Sequence, residues 1–260
     1  MRIFDCFLFF NELELLELRL MTLNDVVDYF VLVEADKTHT GNTKDFVFEK
    51  NKHRYQKYLN KIIHIKVEHT PALDRSTDAW AIENFQRSCI SRGLTSATDE
   101  DKVITSDVDE IPNPETLERL KGSDHPVTLR QHLFYYYVNC YSGRGWNGSI
   151  VTPMKHMRPP HIMRGLARKG FNKVRNAGWH YSYMGGLDRI KSKLDSISDA
   201  YTRNHLVGDD EDIMRKMMTQ KDLWDEQHSY RLIDVTQSIF GPPTIKQFIT
   251  QYPNYFFGPL

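Results

Sequence analysis

Two aspartates separated by one residue, Asp107 and Asp109 in the segment DVDEIP, are the side chains of this sequence best placed to do chemistry. Directly after a strand, both carboxylates can turn toward one divalent cation, and a cation held there can bind a diphosphate. The competing reading is a turn, because aspartates also cap helices and close loops, and Pro112 and Pro114 mark a turn nearby. Other polar side chains occupy comparable places. Asn11 and Glu12 follow the apolar run at residues 2–10, and Glu34 and Asp36 end the run YFVLVEAD.

These residues are useful only if the chain brings them together. Residues 2–10 read as a strand buried on both faces. Leu13, Leu16, Leu20, Leu23, Val27 and Phe30 recur at helical steps, so an amphipathic helix is expected over residues 12–30. With the following strand this makes a βαβ unit. A third strand is expected at 61–67, then a helix at 79–92 capped by Thr77 or Asp78, then a strand at 102–106 that runs into DVDEIP near the middle of the sheet. Such alternation is that of an open, doubly wound α/β sheet, whose ligands bind beyond the carboxyl ends of the strands. That rule makes the three polar groups neighbours in space. From Val127 the stretch TLRQHLFYYYVNCY is rich in β-formers and aromatics, and a mixed or antiparallel extension with long loops is expected, followed by helices at 187–198 and 210–220 and an irregular tail.

Composition excludes some functions. The 260 residues carry 34 basic and 34 acidic side chains, with no long basic run, and nucleic-acid binders that neutralise several phosphates need a basic excess. At 40% hydrophobic and 12% aromatic the chain is globular in composition. Cys6, Cys89 and Cys140 are far apart and show no zinc-ligand spacing, which suits a reduced compartment. The apolar N-terminus is interrupted by Asp5 and followed at once by Glu12, Glu14 and Glu17, so no signal peptide or membrane anchor is expected, and a cytoplasmic protein is.

The blocks IFDCFLFFNELELLELRL, YFVLVEAD with THTGNTK, DVDEIP and AGWHYSY, in that order, resemble glycosyltransferase family 17 from about residue 2 to about residue 220. That family includes an enzyme that adds a bisecting N-acetylglucosamine to N-glycans. The resemblance implies a single GT-A-type domain (1–260), with a nucleotide-binding half at 1–125 and an acceptor-binding half and tail at 126–260. It also implies a UDP-sugar donor, a glycan acceptor, Mn2+ or Mg2+, and inversion at the transferred sugar.

In that light Asp109 is expected as a metal ligand, Asp107 as a metal or ribose ligand, and His180 as a further ligand, the alternative for His180 being a core histidine beside Trp179. Glu34 and Asp36 are expected at the uracil or ribose, or else as solvated loop acids. Arg87 is expected to pair with Asp107 or a phosphate, or to lie on the surface, and Asn11 and Glu12 to line the crevice or cap the first helix. An inverting transfer needs a carboxylate base. Glu110 beside the metal motif and Asp210 and Glu211 in an acidic helix start are the candidates, although acids also favour a helix N-terminus for structural reasons. Two other functions remain open at this level. One is a noncatalytic glycan-binding module on the same fold. The other is a metal-dependent phosphohydrolase, disfavoured because the first strand carries only Asp5.

Overall fold

The computed structural model describes residues 1–71, 78–198, 207–225 and 227–259. Thr77, one of the two expected caps, lies outside them. Four parallel strands form the N-terminal half: β1 (Ile3–Phe9), β2 (Tyr29–Ala35), β3 (Ile62–Val67) and β4 (Lys102–Asp107). β5 (Glu110–Pro112), β6 (Val127–Tyr135), β7 (Cys140–Pro153) and β9 (Gly178–Ser182) extend the sheet in the order β3-β2-β1-β4-β7-β6-β9-β5, with short strands β8 (Lys173–Val174) on β6 and β10 (Arg231–Leu232) on β7. β7 runs antiparallel to both β4 and β6, which makes the sheet mixed in its second half as the residue pattern at 127–140 predicts.

The apolar run of β1 is buried throughout because both faces of the sheet are covered. Ile3, Phe7 and Phe9 pack with Leu13, Leu16, Leu20 and Leu23 of helix α1 (Leu13–Leu23). Phe4, Cys6 and Leu8 point the other way, against Cys89, Ile90 and Leu94, which follow helix α3 (Ala81–Ser88). A strand sandwiched in this way reads as a continuous hydrophobic stretch. Asp5 is the exception, and its burial decides the site described below.

Several boundaries differ from expectation. α1 ends at Leu23, not at residue 30, because Phe30 belongs to β2, where it pairs with Asp5 and Ile62. Helix-period leucines cannot reveal where backbone pairing takes over. Trp80, not Asp78, is the residue preceding α3, and the Asp78 carboxylate accepts the Trp80 N–H. Four short helices escape the periodicity: α2 (Val47–Asn51), α4 (Pro114–Leu120), α5 (Pro160–Arg168) and α8 (Ile245–Gln251). Pro114, read as a turn marker, is a first-turn residue of α4, as Pro160 is of α5, where a missing N–H costs nothing; Asn113 Oδ1 caps α4 by accepting the Glu115 N–H at 2.8 Å. α8 replaces an expected irregular tail, because Ile245 and Phe248 bury against Leu15 and Leu18 of α1. α6 (Leu187–Ser196) and α7 (Asp210–Met218) fall within two residues of expectation. The three cysteines are buried thiols. No helix among the described residues is long and apolar enough to cross a membrane.

Candidate active site

The site begins with the one charge in β1. Asp5 and Arg19 of α1 are fully buried and form a two-point ion pair, Nε to Oδ2 at 2.7 Å and Nη2 to Oδ1 at 2.6 Å. The guanidinium also donates to Ser106 Oγ and to the carbonyl oxygens of Asp107, Val108 and Glu110. An arginine presents its donors in a fixed fork, so these bonds fix the backbone of the turn that joins β4 to β5. The DVDE segment is therefore held in place from inside the core.

Its side chains diverge. Glu110 is fully buried. Its carboxylate accepts the Asp107 N–H at 3.0 Å, Trp146 Nε1–H at 2.5 Å, Ser149 Oγ–H at 3.1 Å and Arg164 Nη1–H at 2.6 Å. A Cβ on Gly148 would overlap both Glu110 Oε1 and Trp146 Nε1, so only glycine leaves room for this cluster. Asp107 accepts Arg87 Nη2 at 2.7 Å on one oxygen and Arg164 Nη2 at 2.5 Å on the other. Burial pushes the Asp107 carboxyl up, but Arg164 and Arg87 outweigh it and hold the group far below the ordinary carboxylate range. Burial likewise opposes the charge on Arg164, and Asp107 and Glu110 restore it.

Asp109 turns to the opposite side of the crevice. Its Oδ2 lies 2.6 Å from Lys193 Nζ on α6 and 3.5 Å from His180 Nε2 on β9. Both Asp109 and His180 are more than nine-tenths buried. Against the upward push of burial, Lys193 and then His180 hold the Asp109 carboxyl well below its usual value. His180 lies against Trp146 with ring centres 4.6 Å apart and planes tilted by 38°, and the Arg168 guanidinium lies over that indole at 4.1 Å. Strand alternation explains why His180 faces the crevice while Trp179 packs into the core.

These groups line a cavity of about 650 Å³ at the carboxyl ends of β1, β2 and β4, where such sheets bind ligands. One end is made by Ala35 and residues 37–39 after β2, with Trp80 of the chain entering α3 half-exposed at the rim. Gln86 Nε2 ties α3 to the Lys37 carbonyl at 2.8 Å. The other end is aromatic, with Tyr183 packed against Tyr135 and Trp224.

The expected residues divide. Asp107, Asp109 and His180 come together in the cavity wall, and Arg87 stands behind Asp107, almost wholly buried. Glu34 does not reach the cavity. It points to the opposite face of β2, where it accepts the Phe48 N–H at 2.8 Å at the start of α2 and contacts His64 Nε2 at 3.1 Å. Asp36 instead fastens its loop to Thr70, whose hydroxyl it accepts at 2.6 Å. Asn11 lies beside the cavity, with its amide on Ser192 Oγ and its carbonyl accepting Arg189. Glu110 is fully buried outside the cavity lining, and four donors occupy its carboxylate. Asp210 and Glu211 stand outside the cavity on the exposed first turn of α7, where Asp210 pairs with Lys191 and Asp209 caps the helix. Sequence reasoning passed over Arg19, Arg164 and Lys193. The signal for Arg19 was present, because a lone acid inside an apolar strand demands a buried cation.

For a divalent ion the fit is partial. Among the described residues no three histidine, cysteine, aspartate or glutamate side chains converge as a closed shell. Asp109 and His180 do converge, and small hard cations keep several waters and bind through one or two protein ligands plus substrate phosphates. The pair therefore fits an ion whose shell is completed by substrate. Asp107 stands apart from that pair, with each of its oxygens accepting from an arginine. Among the described residues the buried His180 Nδ1 has no hydrogen-bond partner, so none of them gives the ring the outer support that usually orients a ligand histidine.

The sequence matches the family model described as Glycosyltransferase family 17 over residues 1–255. It is 26% identical over 223 residues to the human beta-1,4-mannosyl-glycoprotein 4-beta-N-acetylglucosaminyltransferase, a match covering 73% of this chain and 42% of that protein. The rat protein of the same name matches at the same identity, over 41% of its length. The chain thus spans about two fifths of the length of the curated relatives it matches. Among solved structures, an inositol-1-phosphate CTP transferase from T. maritima is similar at 12% identity with a TM-score of 0.36, over 77% of this chain and 96% of that one.

Proposed function

The chain belongs to glycosyltransferase family 17, and from that membership we propose that it moves a sugar, N-acetylglucosamine, from a UDP-sugar to a glycan hydroxyl, with inversion, on a GT-A-type sheet. The observation that carries the proposal is the cavity of about 650 Å³ at the strand ends, whose wall combines Asp109, His180 and Lys193 with the guanidinium groups of Arg164 and Arg168. Asp109 and His180 are the residues that hold Mn2+ or Mg2+. Bound there, the ion offsets charge that develops on the departing diphosphate.

The remaining roles belong to the chain's own residues. Arg19 fixes the turn, Asp107 aims Arg87 and Arg164, and Arg164 and Arg168 present guanidinium groups at the side where a diphosphate lies. Trp80 at the rim offers a face on which a base stacks, and the aromatic end of the cavity offers surfaces for sugar rings. A base must have basicity to give. Among the described wall residues, Asp107 and Asp109 are held as weak bases by their cations, and Glu83 is engaged by Arg87 and Ser198. Among the described residues Glu12 accepts only the N–H groups of Phe10 and Asn11 and forms no ion pair, so we assign it the acceptor proton.

Calorimetry with UDP and UDP-N-acetylglucosamine, with and without Mn2+, followed by turnover assays, tests the proposal. Nucleotide binding that needs the ion is expected, with activity lost in Asp109→Asn and kcat lowered by about 10²–10⁴ in Glu12→Gln while the donor KM holds. A protein that neither binds nor turns over any UDP-sugar refutes it. Glycan binding without nucleotide would instead mark a binding module.

A further inference from the structure

We infer that Lys193 is a resident counter-cation that a divalent ion must displace from Asp109, and that this exchange couples ion binding to diphosphate binding. The inference rests on the donor and ion assignments above.

Asp109 Oδ2 is the carboxylate oxygen that approaches His180 Nε2, and the Lys193 ammonium sits 2.6 Å from that same atom. An ion taken up between Asp109 and His180 and an ammonium on the shared oxygen exclude one another by charge. The backbone of Lys193 does not yield, because Ile190 and Leu194 anchor α6 in a core cluster with Tyr136 and Tyr183. The side chain can. It is a flexible four-carbon stem with a compact charge, a quarter exposed, its ammonium lying 5.1 Å from the centre of the Tyr183 ring in the cavity wall. Burial opposes the ammonium's charge, and Asp109 foremost sustains it. Glu12 in the same wall also favours that charge, and once the ammonium is displaced from Asp109 the incoming diphosphate supplies a stronger anion.

The consequence is thermodynamic. Without nucleotide, the ion competes with a tethered cation and binds weakly. With nucleotide, the ammonium moves to the diphosphate and the competition ends. Coupling between two ligands is reciprocal and commonly about 5–150-fold, so the wild-type protein is expected to bind Mn2+ about tenfold or more tightly when UDP is saturating. Removing the ammonium removes that share of the coupling and leaves the share that direct ligation of the ion by the diphosphate supplies.

The test is Mn2+ binding followed by the paramagnetic resonance signal of free Mn2+, with and without UDP, on the wild-type protein, Lys193→Met and Lys193→Gln. Lys193→Gln keeps a hydrogen-bond donor for Asp109 and guards against loss of folding in Lys193→Met, which thermal melting reports. Both variants are expected to bind Mn2+ without UDP about tenfold more tightly than wild type, so that the gain from UDP falls by about that factor to what direct ligation of the ion by the diphosphate supplies. Unchanged or weaker Mn2+ binding by the folded variants overturns the role of Lys193 and leaves the glycosyltransferase reading standing. If no protein takes up Mn2+ even with UDP, while UDP-sugar still binds, the ion assignment falls and this inference with it.

Discussion

The buried carboxylate of Glu110 gives the most discriminating prediction, because sequence position suggests chemistry and tertiary structure assigns architecture. Replacing it by glutamine preserves shape and removes charge. Arg164 then loses one of its two carboxylates and keeps Asp107, while Trp146 and Ser149 keep only a neutral acceptor. Breaking one side of a buried ion pair costs about 3–5 kcal/mol, and the retained Asp107 contact places Glu110→Gln at the lower end, about 3 kcal/mol. For a domain of this size each kcal/mol shifts Tm by about 2–4 °C, so a fall of about 6–12 °C is expected. Differential scanning calorimetry beside urea titration measures it. A base behaves otherwise: the variant melts like wild type, turnover collapses and the acidic limb of the pH–rate profile disappears. A Tm within about 2 °C of wild type together with lost turnover would falsify the architectural assignment.

Arg19→Met leaves Asp5 charged and alone in the core, and equilibrium unfolding should show a loss of about 3–5 kcal/mol, whereas Asp5→Leu combined with Arg19→Met should recover most of the stability without restoring activity, since the turn carbonyls stay unpaired. Gly148→Ala forces a methyl group onto Glu110 and Trp146, and denaturant titration should report about 1–3 kcal/mol of destabilisation. Asp101 tests the pH dependence of stability. Although burial opposes it, bonds from Arg2 and Thr98 hold its carboxyl at about 2, below the ordinary 3.8. A depressed folded-state value contributes stability that is complete above the unfolded value and is lost as pH falls from about 4 to about 2. Asp101→Asn should therefore flatten acid unfolding in that window, and the two proteins should converge in stability below it.

Much of the fold is legible in the sequence. The apolar run of β1, the leucine spacing of α1 and the repeat of strand and helix through β4 specify a doubly wound half-sheet, since burial on two faces leaves a continuous hydrophobic signature. Position at strand ends also brings Asp107 and Asp109 to the crevice, and the GWHYS block brings His180. Sequence did not separate Glu34 from that group. Glu34 and Ala35 are consecutive on β2 and face opposite sides of the sheet, and which side holds the cavity depends on how the helices pack. Nor did it distinguish the acids within DVDE. Residue type is the same for a carboxylate that aims two arginines, one that faces a histidine and a lysine, and one buried under four donors. Only tertiary structure sets those fates, because a carboxylate's basicity and reach are decided by cations that arrive from α3, α5 and α6, some 20 to 84 residues away in the chain. By itself the sequence determined that a polar crevice would form at the strand ends. The packing of distant helices determined which of its acids remain available to a ligand.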